Sequence, residues 1–335
     1  MGKRRLSLQQ QRRIAGQQQR SNRQLLPDGG DEENFGSPQE GLVITRFSHQ
    51  ALVKPTALLD CSTQPYRCHF RANITDLVTG DRVIWRQGKP TGIIESVLPR
   101  RSLMSRPDAR GQLRPMAANV DQIGIVFAPE PQPHQNLIDR YLVAAEYLSI
   151  QPLLIFNKMD SLNAANKEIP ALFDLYQSLG YNLVRVSAKQ GSGLTALHDA
   201  LRSHTTVLVG QSGVGKSSII NRIYPLAEAA IGDLSQLAKG RHTTTAAKYY
   251  VLPQGGSLID SPGIREFGLW HLEADAIARG FIDFKPYLGA CRFRNCRHFA
   301  EPDCAILQAV AEGNIRAERL LSYQQIVNDL ANATG

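Results

Sequence analysis

The chain has 335 residues, more than one domain usually holds, so two or three domains are expected. Hydrophobic residues make up 42% and charged residues 20%, which excludes a wholly disordered chain, and the net charge of +8 favours polyanionic partners over acidic small molecules. Five cysteines without an apolar leader or a membrane-length run point to a reducing cytoplasm, where clustered cysteines are read first as metal ligands rather than disulfides.

Residues 1–40 open with seven Lys or Arg before the first acidic residue, Asp28, and two Gln triplets lie among them. Such a segment buries little, so a disordered basic arm is expected, either solvated or lying along phosphates. Short β-branched and aromatic runs follow at Leu42–Ile44, Tyr66–Phe70, Arg82–Trp85 and Gly92–Val97, separated by turn residues. That spacing predicts a small all-β barrel over 41–112, with an oligonucleotide-binding (OB) fold as one candidate. Arg100, Arg101, Arg106, Arg110 and Arg114 then read as a basic loop, able to track a phosphate backbone or to serve as an ordinary linker.

From 113 to 268 the pattern becomes α/β. Apolar runs at Ile123–Phe127, Leu153–Phe156, Leu183–Val186 and Val207–Val209 alternate with helical patterns over 137–148, 168–179, 194–201 and 217–223. This alternation predicts a mainly parallel sheet covered on both faces. Residues 269–335 carry a Cys/His cluster between short helical segments.

Gly210-Gln211-Ser212-Gly213-Val214-Gly215-Lys216-Ser217-Ser218 lies between an apolar strand and a helix and matches a phosphate-binding P-loop. Its glycines let backbone N–H groups face phosphate oxygens, Lys216 reaches the terminal phosphates, and Ser217 can ligate Mg²⁺. A guanine reader is supplied by Asn157-Lys158-Met159-Asp160 at the end of a strand, where Asp160 can accept from the ring N–H and amino group that adenine lacks. Ser187-Ala188-Lys189 follows the next strand as a second base-contacting loop. Downstream, Asp260-Ser261-Pro262-Gly263 supplies a carboxylate for the metal shell and the Gly263 N–H for the γ-phosphate. Between them, Gly240-Arg241-His242-Thr243-Thr244-Thr245 offers a switch loop in which Thr243 or Thr244 completes the Mg²⁺ shell.

Every part of a GTP site is therefore present, yet the base-reading loops precede the P-loop, which is the order of a circular permutation. Ile264 stands where a water-positioning Gln sits in Ras-like enzymes, so slow intrinsic hydrolysis is expected, with His242 as the candidate water-orienting group or a structural switch residue. Arg265 reads either as a surface arginine or as a charge-stabilising one. Cys291, Cys296, His298 and Cys304 fall within 14 residues and suit one closed, structural zinc site. Arg292, Phe293, Arg294, Arg297 and Phe299 surround them, either as a solvated basic face or as an RNA-stacking surface. Cys61 and Cys68 have no ligand partners in the sequence and are expected to be plain thiols.

In this combination and order the motifs resemble the ribosome small-subunit-dependent GTPase A, or RsgA/YjeQ, family. The resemblance covers nearly all the chain beyond residue 40. It implies an OB-fold barrel, a permuted α/β P-loop GTPase domain and a small C-terminal zinc-binding helical domain. It also implies GTP hydrolysis late in maturation of the small ribosomal subunit, activated by that subunit and its rRNA, with release after conversion to GDP. A GTPase acting on a different RNA–protein assembly is the alternative. With no heptad pattern or long apolar stripe, a monomer is expected when the protein is free, and no membrane association.

Overall fold

The computed structural model describes residues 35–107, 112–163, 166–225, 247–260 and 272–334. Strands β1 (Gln39–Arg46), β2 (Gln50–Pro55), β3 (Tyr66–Phe70), β4 (Arg82–Arg86) and β5 (Gly92–Val97) close into a barrel ordered β1-β2-β3-β5-β4. Only the β3–β5 pair is parallel, so the connectivity is that of a five-stranded OB-like barrel.

Side chains alternate across these strands. Val43, Ala51, Val53, Val83, Trp85 and Ile94 fill the barrel, together with Cys68, whose thiol burial pushes up to about 12. Leu42, Ile44 and Leu52 point the other way, into the core of the neighbouring α/β unit. The barrel is thus packed onto that unit through the outward face of β1 and Leu52 of β2 rather than tethered to it.

The basic run after the barrel is a hairpin rather than the expected loop. Strands β6 (Leu103–Pro107) and β7 (Leu113–Ala118) pair antiparallel, across the position expected for a domain boundary. The arginine pattern hides the reason: Met104, Ala117 and Ala118 are fully buried at the hairpin's base. Arg100 turns inward and donates to both Asp81 carboxylate oxygens, at 2.7 and 2.9 Å. Arg101 stays exposed, Arg106 and Arg114 face each other across the strands, and Arg110 lies outside the described residues.

A six-stranded sheet follows. Its order is β10 (Leu183–Arg185), β9 (Gln151–Phe156), β8 (Gln122–Phe127), β11 (Thr205–Val209), β13 (Ser257–Asp260) and β12 (Lys248–Val251), and only β12 runs antiparallel to its neighbour. β8 is buried along its whole length, as an apolar central strand must be. Helices α1 (Gln135–Tyr147) and α2 (Glu168–Ser178) cover one face through Ile138, Leu142, Phe173 and Tyr176. Helices α3 (Leu194–Leu201) and α4 (Lys216–Ile223) cover the other through Leu197, Leu201, Ile219 and Ile223.

At the C-terminal end, α5 (Ala274–Gly280), α6 (Ala305–Ala311) and α7 (Ala317–Thr334) share a core with Val143 and Ala144 of α1. Arg319 of α7 is 1% exposed and pairs with Asp139 of α1 and, at 2.8 Å, with Asp283. No helix among the described residues is long and apolar enough to cross a membrane.

Candidate nucleotide site and metal centre

Three loops converge at the C-terminal edge of the sheet, where open α/β sheets bind ligands. β11 runs into Gly210, and α4 starts at Lys216 after Gly215, which adopts φ +93°. A Cβ at Gly215 would lie 2.3 Å from Asn157 Nδ2, so the close approach of these loops requires glycine there. Asn157, 2% exposed, joins all three loops: its Nδ2 donates to the Val214 carbonyl at 3.0 Å, and its Oδ1 accepts from the Ala188 N–H at 3.1 Å.

Lys158 stands in the left-handed region at φ 60°, and its ammonium donates to the Glu130 carbonyl at 2.8 Å. The Met159 N–H donates to Val186, which fixes the base-reading loop to the end of β10. Ser187 donates its hydroxyl to Asp160, holding that exposed carboxyl below its usual range and keeping it an acceptor. The Gln190 N–H in turn donates to the Ser187 hydroxyl at 3.0 Å, while Lys189 is exposed.

Lys216 is 8% exposed and caps the P-loop internally, donating to the Gly210 and Gln211 carbonyls at 2.7 and 2.6 Å. Those carbonyls hold its charge at the mouth of the loop, where a terminal phosphate would compete for it. Ser212, Gly213, Ser217 and Ser218 are exposed, and Val214 among them is fully buried. Asp260 ends β13, two strands away in sequence but adjacent to β11 in the sheet. His242, Thr243, Thr244, Gly263, Ile264 and Arg265 lie outside the described residues, as does the basic arm up to Asn34. The sequence motifs did not reveal the Glu130 carbonyl that anchors Lys158, because a backbone acceptor leaves no residue-type signal.

The second site is built from a short loop with little regular structure. Cys291 Sγ, Cys296 Sγ, His298 Nδ1 and Cys304 Sγ all lie within 4.8 Å of one another. His298 Nδ1 is 3.6, 3.5 and 3.3 Å from the three sulfurs, and Cys291 and Cys304 are 3.8 Å apart. A tetrahedral ion with bonds of about 2.0 Å to nitrogen and 2.3 Å to sulfur separates its ligands by about 3.5–3.8 Å, so the cluster fits a metal ion of zinc's size and preference. The loop is held from behind: Tyr323 and Gln324 of α7 donate to the Arg297 and His298 carbonyls. Arg292 sits over the exposed Phe293 ring and Arg297 over the half-buried Phe299.

A P-loop strand in mid-sheet, with its base-reading loops supplied by strands earlier in the chain, defines a circularly permuted GTPase. Starting the chain at β11 and rejoining its ends would restore the usual order of P-loop first and base readers last. The RsgA GTPase family model matches residues 97–270. The small ribosomal subunit biogenesis GTPase RsgA of Ectopseudomonas mendocina is 52% identical over 306 residues, covering 90% of this chain and 88% of that protein. Its Azotobacter vinelandii counterpart is 53% identical over the same shares. Among solved structures, YjeQ from Thermotoga maritima matches with a TM-score of 0.72 at 29% identity, covering 88% of this chain and 99% of that one. The circularly permuted GTPase YloQ gives 0.69 at 26% identity, with 92% and 99% covered. The chain belongs to the RsgA GTPase family and is a GTP-hydrolysing enzyme.

Proposed function

We propose that this enzyme acts in biogenesis of the small ribosomal subunit: it binds that subunit and its rRNA with GTP bound, hydrolyses GTP to GDP and phosphate under the subunit's stimulation, and then leaves. The observation that carries the reading is Asn157, whose side chain ties the P-loop and the two base-reading loops into one pocket edge. In it, Asn157–Asp160 and Ser187–Lys189 hold the base, while Gly210–Ser218 and Gly263 surround the phosphates. Lys216 neutralises charge on the terminal phosphates. Ser217, Asp260 and Thr243 or Thr244 would hold Mg²⁺, which spreads the charge developing between the β- and γ-phosphates. His242 is the candidate for orienting the attacking water, since Ile264 cannot.

The same reading assigns the metal centre a structural zinc, divides the chain at 40, 112 and 268, and takes the protein to be cytoplasmic and monomeric when free. Its support is the thiolate-rich ligand set, the OB-like barrel, the net positive charge and the names carried by the relatives at about half identity.

The test is steady-state GTP hydrolysis with and without purified small ribosomal subunits, with large subunits as the control. A marked rise with small subunits alone is expected, and an equal response to both subunits, or none, overturns the assignment of partner. Base reading is checked with Asp160→Asn. The amide presents a donor where guanine also donates, so preference for GTP over xanthosine triphosphate should fall by about 1–3 kcal/mol.

A further inference from the structure

The barrel reaches the nucleotide unit at one backbone atom in a way that packing alone does not require. The Ala247 carbonyl, immediately before β12, accepts two side-chain hydroxyls from the barrel: Thr45 Oγ1 at 2.9 Å and Thr79 Oγ1 at 3.0 Å. Two donors occupy both lone pairs of that oxygen. Both threonines are 2% exposed, so their hydroxyls meet this acceptor in a site largely closed to water.

Each threonine is itself held in place. Thr45 lies at the bulge of β1, where the register with β2 shifts between Val43 and Thr45. The Thr79 carbonyl accepts from the Ala118 N–H at 3.0 Å, and Thr79 bridges to Ala117 at the foot of the hairpin. Next to it Gly80, at φ +90°, lies so close to β7 that a Cβ would come within 2.3 Å of the Ala118 carbonyl oxygen. The Asp81 carboxylate, bound by Arg100 and by the Val78 N–H, closes the turn. The hydroxyls are therefore presented from a firm frame to the residue that leads into β12.

Ala247 stands two residues after Thr245 in the sequence, at the end of the Gly240–Thr245 motif. The barrel also meets the chain before that motif: Cys61 packs against the cluster that contains Tyr224, the residue after α4. We infer that Thr45 and Thr79 are positioning residues for GTP hydrolysis, fixing through the Ala247 carbonyl the start of β12, whose partner strand β13 lies beside the P-loop strand β11 and ends at Asp260. The inference rests on the reading that the Gly240–Thr245 motif takes part in hydrolysis. It adds a route by which a ligand gripping the barrel would be felt at the γ-phosphate.

Valine matches threonine in shape but cannot donate, and serine keeps the donor. Single-turnover GTP hydrolysis and fluorescent GDP binding would be measured on the full-length chain for Thr45→Val, Thr79→Val, the double valine variant and the double serine variant. The double valine variant should hydrolyse about tenfold more slowly, the rate equivalent of roughly one lost hydrogen bond. Its GDP affinity should stay within about twofold of the original, and the serine pair should restore the rate. An unchanged rate in the double valine variant overturns the inference. So does an equal loss in the valine and serine pairs, which would mark packing rather than hydroxyl donation. A chain carrying both Thr243→Ala and Thr244→Ala, measured alongside, separates the two levels: loss there with an unaltered valine pair overturns the positioning role alone, whereas an unaltered rate in the alanine pair overturns the reading beneath it.

Discussion

Gly215 shows how much of the nucleotide site turns on single atoms. Its φ of +93° lies where side chains are strained, and the nearest atom to an added Cβ is the Asn157 amide nitrogen, which donates one of its two hydrogens to the Val214 carbonyl. Gly215→Ala should therefore displace Asn157 and loosen both base-reading loops together. We expect GTP affinity to fall by about tenfold or more, equivalent to roughly 1.4 kcal/mol, in a fluorescence titration. Thermal unfolding of the barrel should not change, because the damage is confined to the loops. At this scale positions were legible in the sequence: Asn157, Asp160, Ser187, Lys216 and Asp260, read as candidate nucleotide and Mg²⁺ contacts, each sit at or just after a strand end or at a helix start. What stayed hidden was acceptors of the kind Glu130 and Ala247 provide, since a carbonyl belongs to every residue alike.

Elements were legible where hydrophobic period and turn residues agreed, as in the helix read over 137–148 and found at Gln135–Tyr147. They were misread where charge masked the period: the arginines between 100 and 114 suggested a loop, but the buried Met104, Ala117 and Ala118 make a hairpin. The Cys/His loop is the opposite case: it has almost no regular structure, yet the four side chains read as candidate ligands do come together. Its internal support comes from Glu301, whose carboxylate accepts the N–H groups of Arg297 and Phe299 at 2.8 Å and of Ala300 at 3.2 Å. Burial pushes this carboxyl up, but the backbone donors around it outweigh burial and hold it at about 2. A depressed acid stabilises the fold above its unfolded value, near 4.5, and that support is lost as pH falls from there towards 2. In an NMR pH titration the Glu301 carboxyl should therefore titrate below its unfolded value near 4.5. A midpoint near 4.5 would mean that these hydrogen bonds are not formed in solution.

The joints between units were the least legible feature, because they pair residues far apart in the chain and none carries a motif. Arg319 meets Asp139 across 180 residues, and the Tyr176 hydroxyl donates to the same carboxylate at 2.8 Å. This network fastens the C-terminal helices to α1. Both Arg319 and Asp139 are almost wholly buried, so removing one partner leaves an uncompensated charge rather than merely deleting a contact. Arg319→Met keeps most of the volume and leaves Asp139 and Asp283 without their cation. A loss of about 3–5 kcal/mol is expected in urea unfolding at neutral pH, a large part of a domain's stability. The sign of the pH dependence tests the cause. Burial already pushes Asp139 up against the pull of Arg319, and without the arginine its folded value must rise further. An acid raised in the folded state destabilises increasingly as pH climbs from its unfolded value to its folded one, and protonation relieves the penalty. The gap between Arg319→Met and the original chain should therefore narrow at pH 5 relative to pH 7. An equal gap at both would assign the loss to packing against Phe281, over whose ring the guanidinium sits at 4.3 Å, rather than to the buried charge.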